Sequence, residues 1–114
     1  MDDRMPIAEL RRLVEGFVRE REWEKFHRPK SLAMSIAIEA AELMELFQWP
    51  SDANAERLIK ESRMRRAVTD ELADVVIYCL AFANRTGIDL SSAVVRKLVK
   101  NRRKYPARRY RGRY

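Results

Sequence analysis

Two pairs of acidic residues are the part of this sequence best suited to chemistry. Glu39 and Glu42 flank two alanines, and Glu71 and Asp74 flank Leu-Ala. On a helix, a spacing of i,i+3 places both carboxylates of a pair on one face. Hard divalent cations prefer such oxygen ligands, so the two pairs predict a Mg²⁺ site, with Mn²⁺ as the second choice. The single histidine, His27, lies outside both pairs, which argues strongly against a di-iron centre built from Glu-x-x-His motifs.

The surroundings of these acids argue against an ordinary surface role. The apolar residues that fall within about 60° of Glu39 around a helix are Leu32, Ile36, Leu43 and Leu46. Asp74 is the only charged residue between Leu72 and Ala83. Buried carboxylates are costly unless they are paired or bound to a metal. Surface ion pairing stays open as the alternative, mainly for Glu42.

The composition indicates a small all-α domain. The chain has 114 residues, of which 46% are hydrophobic, with only 3 glycines and 4 prolines. Long helices with short connections are therefore favoured over a sheet. Cys79 is the only cysteine and cannot form an internal disulfide. The sequence has no uncharged run of about 18 residues and no apolar N-terminal block, so we expect a soluble, cytoplasmic protein without a membrane span.

Apolar periodicity predicts four long helices and a polar segment that can hold a short one. The long helices are expected over residues 6–26, 31–49, 69–86 and 90–105, and the polar segment over 51–65. The expected helix ends are Pro50, Gly87 and Pro106, and the expected helix starts are Ser51 or Asp52 and Asp89. This pattern predicts a four-helix bundle subunit. We place the domain over residues 1–106 and a basic tail over 107–114, loose unless it contacts a ligand or partner.

Positive charge is concentrated at the C-terminal end. Residues 96–114 contain ten Lys and Arg and no acid, so the first 95 residues hold 14 bases against 17 acids, and the net charge of +7 comes from this segment. Such a segment suits a nucleic acid or a small phosphorylated ligand. A Mg²⁺ site with bases nearby indicates hydrolysis of a phosphate ester or anhydride. The alternative is a nucleic-acid-binding module acting through residues 96–114, which leaves the acidic pairs unexplained. A purely structural oligomerisation bundle ignores them as well.

Several aromatic residues lie near predicted helix ends rather than within apolar stripes. They are Trp23, Phe26 and Trp49. Core or interface packing is the ordinary role of such residues. The functional alternative is a stacking pocket for a nucleobase, with His27 hydrogen-bonding a base edge or a phosphate.

The order and spacing of these motifs resemble the MazG-like superfamily of all-α nucleoside triphosphate pyrophosphohydrolases, most closely its dCTP pyrophosphatase type. The resemblance runs from about residue 23 to residue 106. The segments that carry it are WEKFH at 23–27, LAMSIAIEAAEL at 32–43, LFQW at 46–49, DELADVVIY at 70–78, GIDL at 87–90, and 97–106 with its Lys-Tyr-Pro end. One departure is Ile38, which stands where many members have a further Glu, although the dCTP type also lacks that acid.

The resemblance implies a set of roles. As Mg²⁺ ligands and catalytic residues it implies Glu39, Glu42, Glu71 and Asp74. It implies a base and sugar pocket at Trp23, His27, Trp49 and Tyr78, and phosphate contacts at Arg85, Lys97, Asn101 and Tyr105. The implied reaction splits a nucleoside triphosphate, such as dCTP or another pyrimidine dNTP, into the monophosphate and pyrophosphate, which would clear unwanted nucleotides. The implied assembly is a homodimer or homotetramer with pockets at subunit contacts, and a nucleic-acid partner is disfavoured. The sequence leaves open which glutamate is the general base, and we favour Glu42 because it lies at the flank of the apolar stripe.

Overall fold

The structure, a computed structural model, describes residues 1–113 and contains helices and no strands over that range. The elements are α1 (Ile7–Glu20), a 3₁₀ turn (Glu24–Phe26), α2 (Pro29–Glu45), α3 (Asp52–Leu58), α4 (Ser62–Thr86), α5 (Leu90–Lys104) and α6 (Ala107–Tyr110). The predicted all-α class is therefore confirmed. Within the described range, no helix combines the length and the apolar character needed to cross a bilayer.

Three helix ends follow the local signals of the sequence. The Ser51 side chain accepts a hydrogen bond of 3.3 Å from the Asn54 N–H at the start of α3. The Asp89 carboxylate accepts one of 2.9 Å from the Ser92 N–H at the start of α5. Gly87 ends α4 with a φ of 70°, a left-handed conformation that a residue without Cβ adopts at little cost.

The first predicted helix is too long at its C-terminal end. α1 ends at Glu20, and Glu22 adopts a φ of 52°, so the chain reverses before Trp23. The Trp23 N–H donates to the Val18 carbonyl over 3.0 Å and closes the turn. The prediction extended this helix to residue 26 because the first helix-breaking signal is the His-Arg-Pro sequence at 27–29, and it therefore placed Trp23 on the helix. The turn, and not a helix, sets the direction of the Trp23 side chain.

Other helix bounds also differ from the prediction. α2 begins at Pro29, since proline is favourable in a first turn, and ends at Glu45 instead of residue 49. α4 begins seven residues earlier than predicted, at Ser62, and its additional turns have a half-buried apolar side. α6 gives helical structure to four residues of the predicted tail, and the Tyr105 and Tyr110 rings meet edge to face there. Tyr114 lies outside the described residues.

The core forms where α1 and α2 pack against α4. Its buried side chains are Val18, Leu32, Leu80, Ala81 and Ala83. The two alanines are small, which lets the neighbouring helices approach α4 closely. This packing matters for function because it fixes one face of α2 against one face of α4.

Hydrogen bonds between two polar residues connect α1 to α4. The Arg11 Nε donates to the Asn84 side-chain oxygen over 2.9 Å, and the Asn84 amide donates back to the Arg11 carbonyl over 3.0 Å. The Arg11 guanidinium also donates to the Ile88 carbonyl over 2.7 Å, so it reaches past the end of α4. These hydrogen bonds satisfy groups that helix packing partly removes from water.

α5 is the long helix that packs least. The extensive contacts among residues 1–113 are those of α4 with α2 and with α1, and α5 takes part in neither. Its apolar residues Val94, Val95, Leu98 and Val99 are 40–62% exposed. The extensive packing within the described residues thus involves three of the four long helices, and the four-helix bundle stays a prediction.

Candidate metal and nucleotide site

Three of the four predicted acids converge where α2 packs against α4. One carboxylate oxygen from each of Glu39, Glu42 and Glu71 lies within 4.8 Å of the others. Glu39 and Glu42 share a face of α2 because of their i,i+3 spacing, and the packing of α4 brings Glu71 opposite them. Glu42 is exposed, whereas Glu39 and Glu71 are half-buried.

Crowding of these carboxylates raises their affinity for protons. The pKa of Glu39 is raised to about 7, first by a hydrogen bond shared with Glu42, then by burial, and then by the charges of neighbouring acids. The pKa of Glu71 is also raised, mainly by burial and then by the charge of Glu42. No base forms an ion pair with these acids in the described part of the chain. The cluster therefore needs protons or a cation to offset its repulsion.

The donor set fits a hard divalent cation. One oxygen each of Glu39 and Glu71 is buried and has no hydrogen-bond partner. Unpartnered buried carboxylate oxygens are unfavourable, and a cation with oxygen ligands would satisfy both. Asp74 lies one turn after Glu71 on α4, half-buried, and its charge contributes to the raised pKa of both glutamates. It is close to the cluster but is not among the three residues whose oxygens converge.

An aromatic cavity lies between α4 and α1, with the turn that follows α1 on one side. It measures about 230 Å³ and is lined by Val14, Phe17, Val18, Trp23, His27, Ile77, Tyr78 and Ala81. The Phe17 and Trp23 rings meet edge to face at 5.8 Å. A second depression also contains Trp23, His27 and Tyr78, and it reaches Ser35 on α2. Three of the residues predicted for a base pocket are thus brought together.

The cavity and the acids lie within a few helical turns of each other. Tyr78 is seven residues after Glu71 on α4, a distance of about 10 Å along the helix axis. Ser35 is four residues before Glu39 on α2, which is about one turn. A ligand with a flat apolar ring in the cavity would have to extend about 10 Å along α4 to reach the carboxylates.

A smaller, polar cavity adjoins the aromatic one. It measures about 100 Å³, and its polar lining residues are Glu15, Glu24, His27, Asn84 and Arg85. Sequence reasoning did not single out Glu24. Its position beside Trp23 was the available signal, but a glutamate in a polar turn is ordinarily solvated. Arg85, which was predicted to contact phosphate, lies at this cavity.

Four predicted binding residues are not gathered at the site by a single chain. Trp49 follows α2 and is 85% exposed. Lys97 and Asn101 belong to α5 and Tyr105 directly follows it, and none of the three lines the two cavities or joins the carboxylate cluster. Their predicted roles therefore require a contact that one chain does not provide.

Comparisons with known proteins agree with this architecture. The chain matches the sequence model of the MazG-like family over residues 34–112. It is 42% identical over 106 residues to dCTP pyrophosphatase 1 of Rattus norvegicus, covering 93% of this chain and 62% of that protein. It is 44% identical over 101 residues to dCTP pyrophosphatase 1 of Homo sapiens, covering 89% and 59%. The chain thus spans about 60% of the length of these relatives.

A solved structure also resembles this chain in both sequence and fold. A pyrophosphatase from Archaeoglobus fulgidus DSM 4304 superimposes with a TM-score of 0.81 at 43% identity, covering 87% of this chain and 91% of that one. Fold and site together define an all-α protein with a carboxylate cluster beside an aromatic cavity. The family match covers more than half of the sequence, and the chain belongs to the MazG-like family.

Proposed function

We propose that this protein is a Mg²⁺-dependent pyrophosphohydrolase of nucleoside triphosphates, with pyrimidine deoxynucleotides such as dCTP as substrates. The observation that carries the proposal is the cluster of Glu39, Glu42 and Glu71, with two unpartnered buried oxygens, beside an aromatic cavity. The names of the relatives, dCTP pyrophosphatase 1, support the choice of substrate. Removal of unwanted nucleotides from the cellular pool would be the biological role.

The carboxylates would hold Mg²⁺ through Glu39, Glu42 and Glu71, with Asp74 as a neighbouring acid. When bound, Mg²⁺ supplies positive charge that offsets the charge of the phosphates. Glu42 is the most exposed of the three converging acids, so it is the one best placed to accept a proton from water. That water would attack the α-phosphorus, the bond to the bridging oxygen would break, and pyrophosphate would leave.

The aromatic cavity would hold the nucleoside. Trp23 and Tyr78 offer ring faces on which a base can stack, and His27 offers a polar group at the same wall. Binding the base there leaves the triphosphate free to reach the acids. Because the cavity is largely apolar, it would exclude water from one side of the base.

We also propose that the chain self-associates as a homodimer or homotetramer. Its accessible surface is 9713 Å², whereas a compact monomer of 13.5 kDa exposes about 6,500 Å². The radius of gyration is 17.1 Å, against about 13 Å for a compact domain of this length. The excess surface is larger than one partner contributes to a typical stable interface, about 800 Å². A second copy, packed on the exposed apolar faces, would bury it and complete a four-helix bundle.

Association would also supply the missing phosphate contacts. Lys97 and Asn101 on α5, and Tyr105 at its end, are exposed or half-buried in one chain. If α5 packs on a second copy, these residues can approach that copy's carboxylates, and Trp49 can cover its cavity. The domain over residues 1–106 and the basic tail over 107–114 remain our proposed division, and a cytoplasmic location remains a prediction.

Pyrophosphate release from each dNTP in the presence of Mg²⁺ tests the proposal. Glu39→Ala and Asp74→Ala should abolish turnover while the protein stays folded by circular dichroism. Glu45→Ala is the matched control, since Glu45 is an exposed acid of α2 outside the cluster. Background release with every nucleotide would refute the function, and full activity in both site variants would refute the site.

A second candidate function is nucleic-acid binding through the basic segment. All ten bases of residues 96–113 are exposed, and none forms an ion pair with another described residue. This function predicts salt-sensitive binding of DNA or RNA that is lost when the segment is removed. Absence of binding at about 50 mM salt would exclude it.

A further inference from the structure

One face of α5 carries a stripe of bases without an acid among them. At about 100° per residue, these bases all fall within about 60° of Lys100 around the helix axis. The members of this basic stripe, all of them exposed, are Arg96, Lys97, Lys100, Arg103 and Lys104. α5 contains no Asp or Glu, and no base of the stripe forms an ion pair within residues 1–113. The stripe extends about 12 Å along the helix axis.

The basic stripe places like charges next to each other on the helix. Side chains three and four residues apart are neighbours there, and bases at such positions repel. Every position three or four residues from Lys100 on α5 is occupied by a base. The helix dipole favours bases in the last turn, which accounts for Arg103 and Lys104. It does not account for Arg96 or Lys97, about two turns before the C-terminus, so an anion that spans the stripe would relieve this repulsion.

The opposite face of α5 is apolar. Val94, Val95 and Leu98 lie about 120° to 160° away from Lys100 around the helix. In the proposed oligomer a second copy covers this apolar face, and the basic stripe then stays in solvent. Lys97 is the one member of the stripe with a predicted role at the nucleotide site. The other four bases are therefore available to another ligand.

α6 adds positive charge at the end of the stripe. The Pro106 carbonyl accepts hydrogen bonds from the N–H groups of Arg109, over 3.0 Å, and Tyr110, over 3.1 Å. The Tyr110 ring then meets the Tyr105 ring edge to face at 5.3 Å, which holds α6 at the end of α5. Seven of the twelve residues at 102–113 are Lys or Arg. The positive surface is therefore longer than α5 alone provides.

The length and composition of this surface favour a nucleic-acid strand as its ligand. One triphosphate is too short to contact the whole stripe and the bases of α6. An anionic membrane is disfavoured, because residues 100–113 contain no Val, Leu, Ile, Met, Phe or Trp that could insert among lipids. Tyr105 is 50% exposed, and its ring offers a face on which an unpaired base can stack.

We propose that the basic stripe binds the phosphate backbone of a single-stranded nucleic acid, at a site separate from the one that would hydrolyse nucleotides. No residue of the stripe lines the aromatic or the polar cavity or joins the carboxylate cluster. The inference rests on the second candidate function and assigns it to one face of α5. Strand binding and hydrolysis can then occur in the same protein, because they use different surfaces.

The test measures binding of a fluorescein-labelled oligothymidylate by anisotropy, in a salt series from about 50 to 300 mM. The stripe variant is Arg96→Gln/Lys100→Gln/Arg103→Gln. The control variant, which removes the same charge from exposed bases outside α5, is Arg57→Gln/Lys60→Gln/Arg63→Gln. Each lost phosphate contact should reduce the slope of log affinity against log salt by about 0.7, so the stripe variant should lose about 2. Its affinity should fall at least about 10-fold, while the control stays close to wild type.

Circular dichroism and mass photometry check that the variants keep the fold and the mass of the wild-type protein. If the triple substitution unfolds the chain, Lys100→Gln alone should still reduce the salt slope by about 0.7. Equal weakening in the stripe and control variants would indicate a response to net charge and would overturn the inference. So would tighter binding to vesicles that contain phosphatidylserine than to the strand, which would assign the stripe to a membrane.

Pyrophosphate release separates this inference from the proposed hydrolysis. The stripe variant should keep the wild-type kcat and KM for dCTP, because its three substituted bases have no assigned role at the nucleotide site. If the strand binds as expected and no nucleotide is hydrolysed, the hydrolase proposal fails and the stripe stands. Hydrolysis without strand binding at about 50 mM salt would overturn the inference and leave the hydrolase in place. Loss of dCTP turnover in the folded stripe variant would place the stripe at the nucleotide site and refute a separate one.

Discussion

Mg²⁺ binding should weaken as the pH falls below neutrality, because Glu39 must lose a proton to act as a ligand. The pKa of this carboxyl is raised to about 7 by its hydrogen bond with Glu42, by burial and by the surrounding charges. Between pH 8 and pH 6 such a group changes from about 90% charged to about 10% charged. The apparent affinity for Mg²⁺ should therefore fall about tenfold over this range. The raised pKa of Glu71 acts in the same direction.

Calorimetric titration with Mg²⁺ can measure both the affinity and the protons released. Each pH value, 6, 7 and 8, would be run in two buffers of different ionisation enthalpy. About half a proton per ion should be released by Glu39 at pH 7, and almost none at pH 8. Glu45→Gln removes an exposed acid of the same helix and should leave the pH dependence in place. A constant affinity from pH 6 to pH 8, with no proton release at pH 7, would refute the reasoning.

Three further predictions concern stability. Without divalent cations, the Tm should fall as the pH rises from 5 to 8. The reason is that the stabilisation from a raised carboxyl pKa is present at low pH and is lost as the pH passes the pKa of about 7 of Glu39. Added Mg²⁺ should remove this pH dependence, and a Tm that rises with pH would contradict the prediction. Asn84→Ala should destabilise the fold by about 2 kcal/mol in urea unfolding, since it removes both side-chain hydrogen bonds to Arg11. An unchanged unfolding midpoint would show that these hydrogen bonds contribute nothing to stability. Glu22→Gly should raise the free energy of unfolding by up to about 1 kcal/mol, because the φ of 52° disfavours a residue with a Cβ; a loss of stability would show that the Glu22 side chain has a role of its own.

The parts of the fold that the sequence predicted correctly are those set by local chemistry. Gly87 and Asp89 act through the backbone next to them, so their types suffice to place a helix end and a helix start. Glu39 and Glu42 share a face because helical periodicity requires it. Asp74 is the only charged residue in an apolar stretch, and this drew attention to the second acidic pair from the sequence alone.

The parts that the sequence could not predict depend on tertiary contacts. Glu22 adopts a left-handed conformation that glutamate does not favour, so its residue type gives no signal of this conformation. Glu24 is unusual only because packing leaves one of its carboxylate oxygens buried without a hydrogen-bond partner. The exposure of α5 could not be predicted from the sequence either. An apolar stripe at helical spacing is the same sequence pattern whether the helix packs within its own chain or on another chain.

The exposure of α5 bears on the proposed catalysis. The carboxylates are held by α2 and α4 of one chain. Three of the four residues predicted to contact phosphate, Lys97, Asn101 and Tyr105, lie on α5 or directly after it, and α5 packs on neither helix extensively. If association brings α5 to another copy's site, specific activity should fall on dilution as the oligomer dissociates, because the triphosphate loses its positive contacts. Mass photometry and pyrophosphate release measured over the same dilution series would relate the two quantities. Constant specific activity per subunit, across a range in which the mass falls to that of one chain, would mean that a single chain holds the complete site.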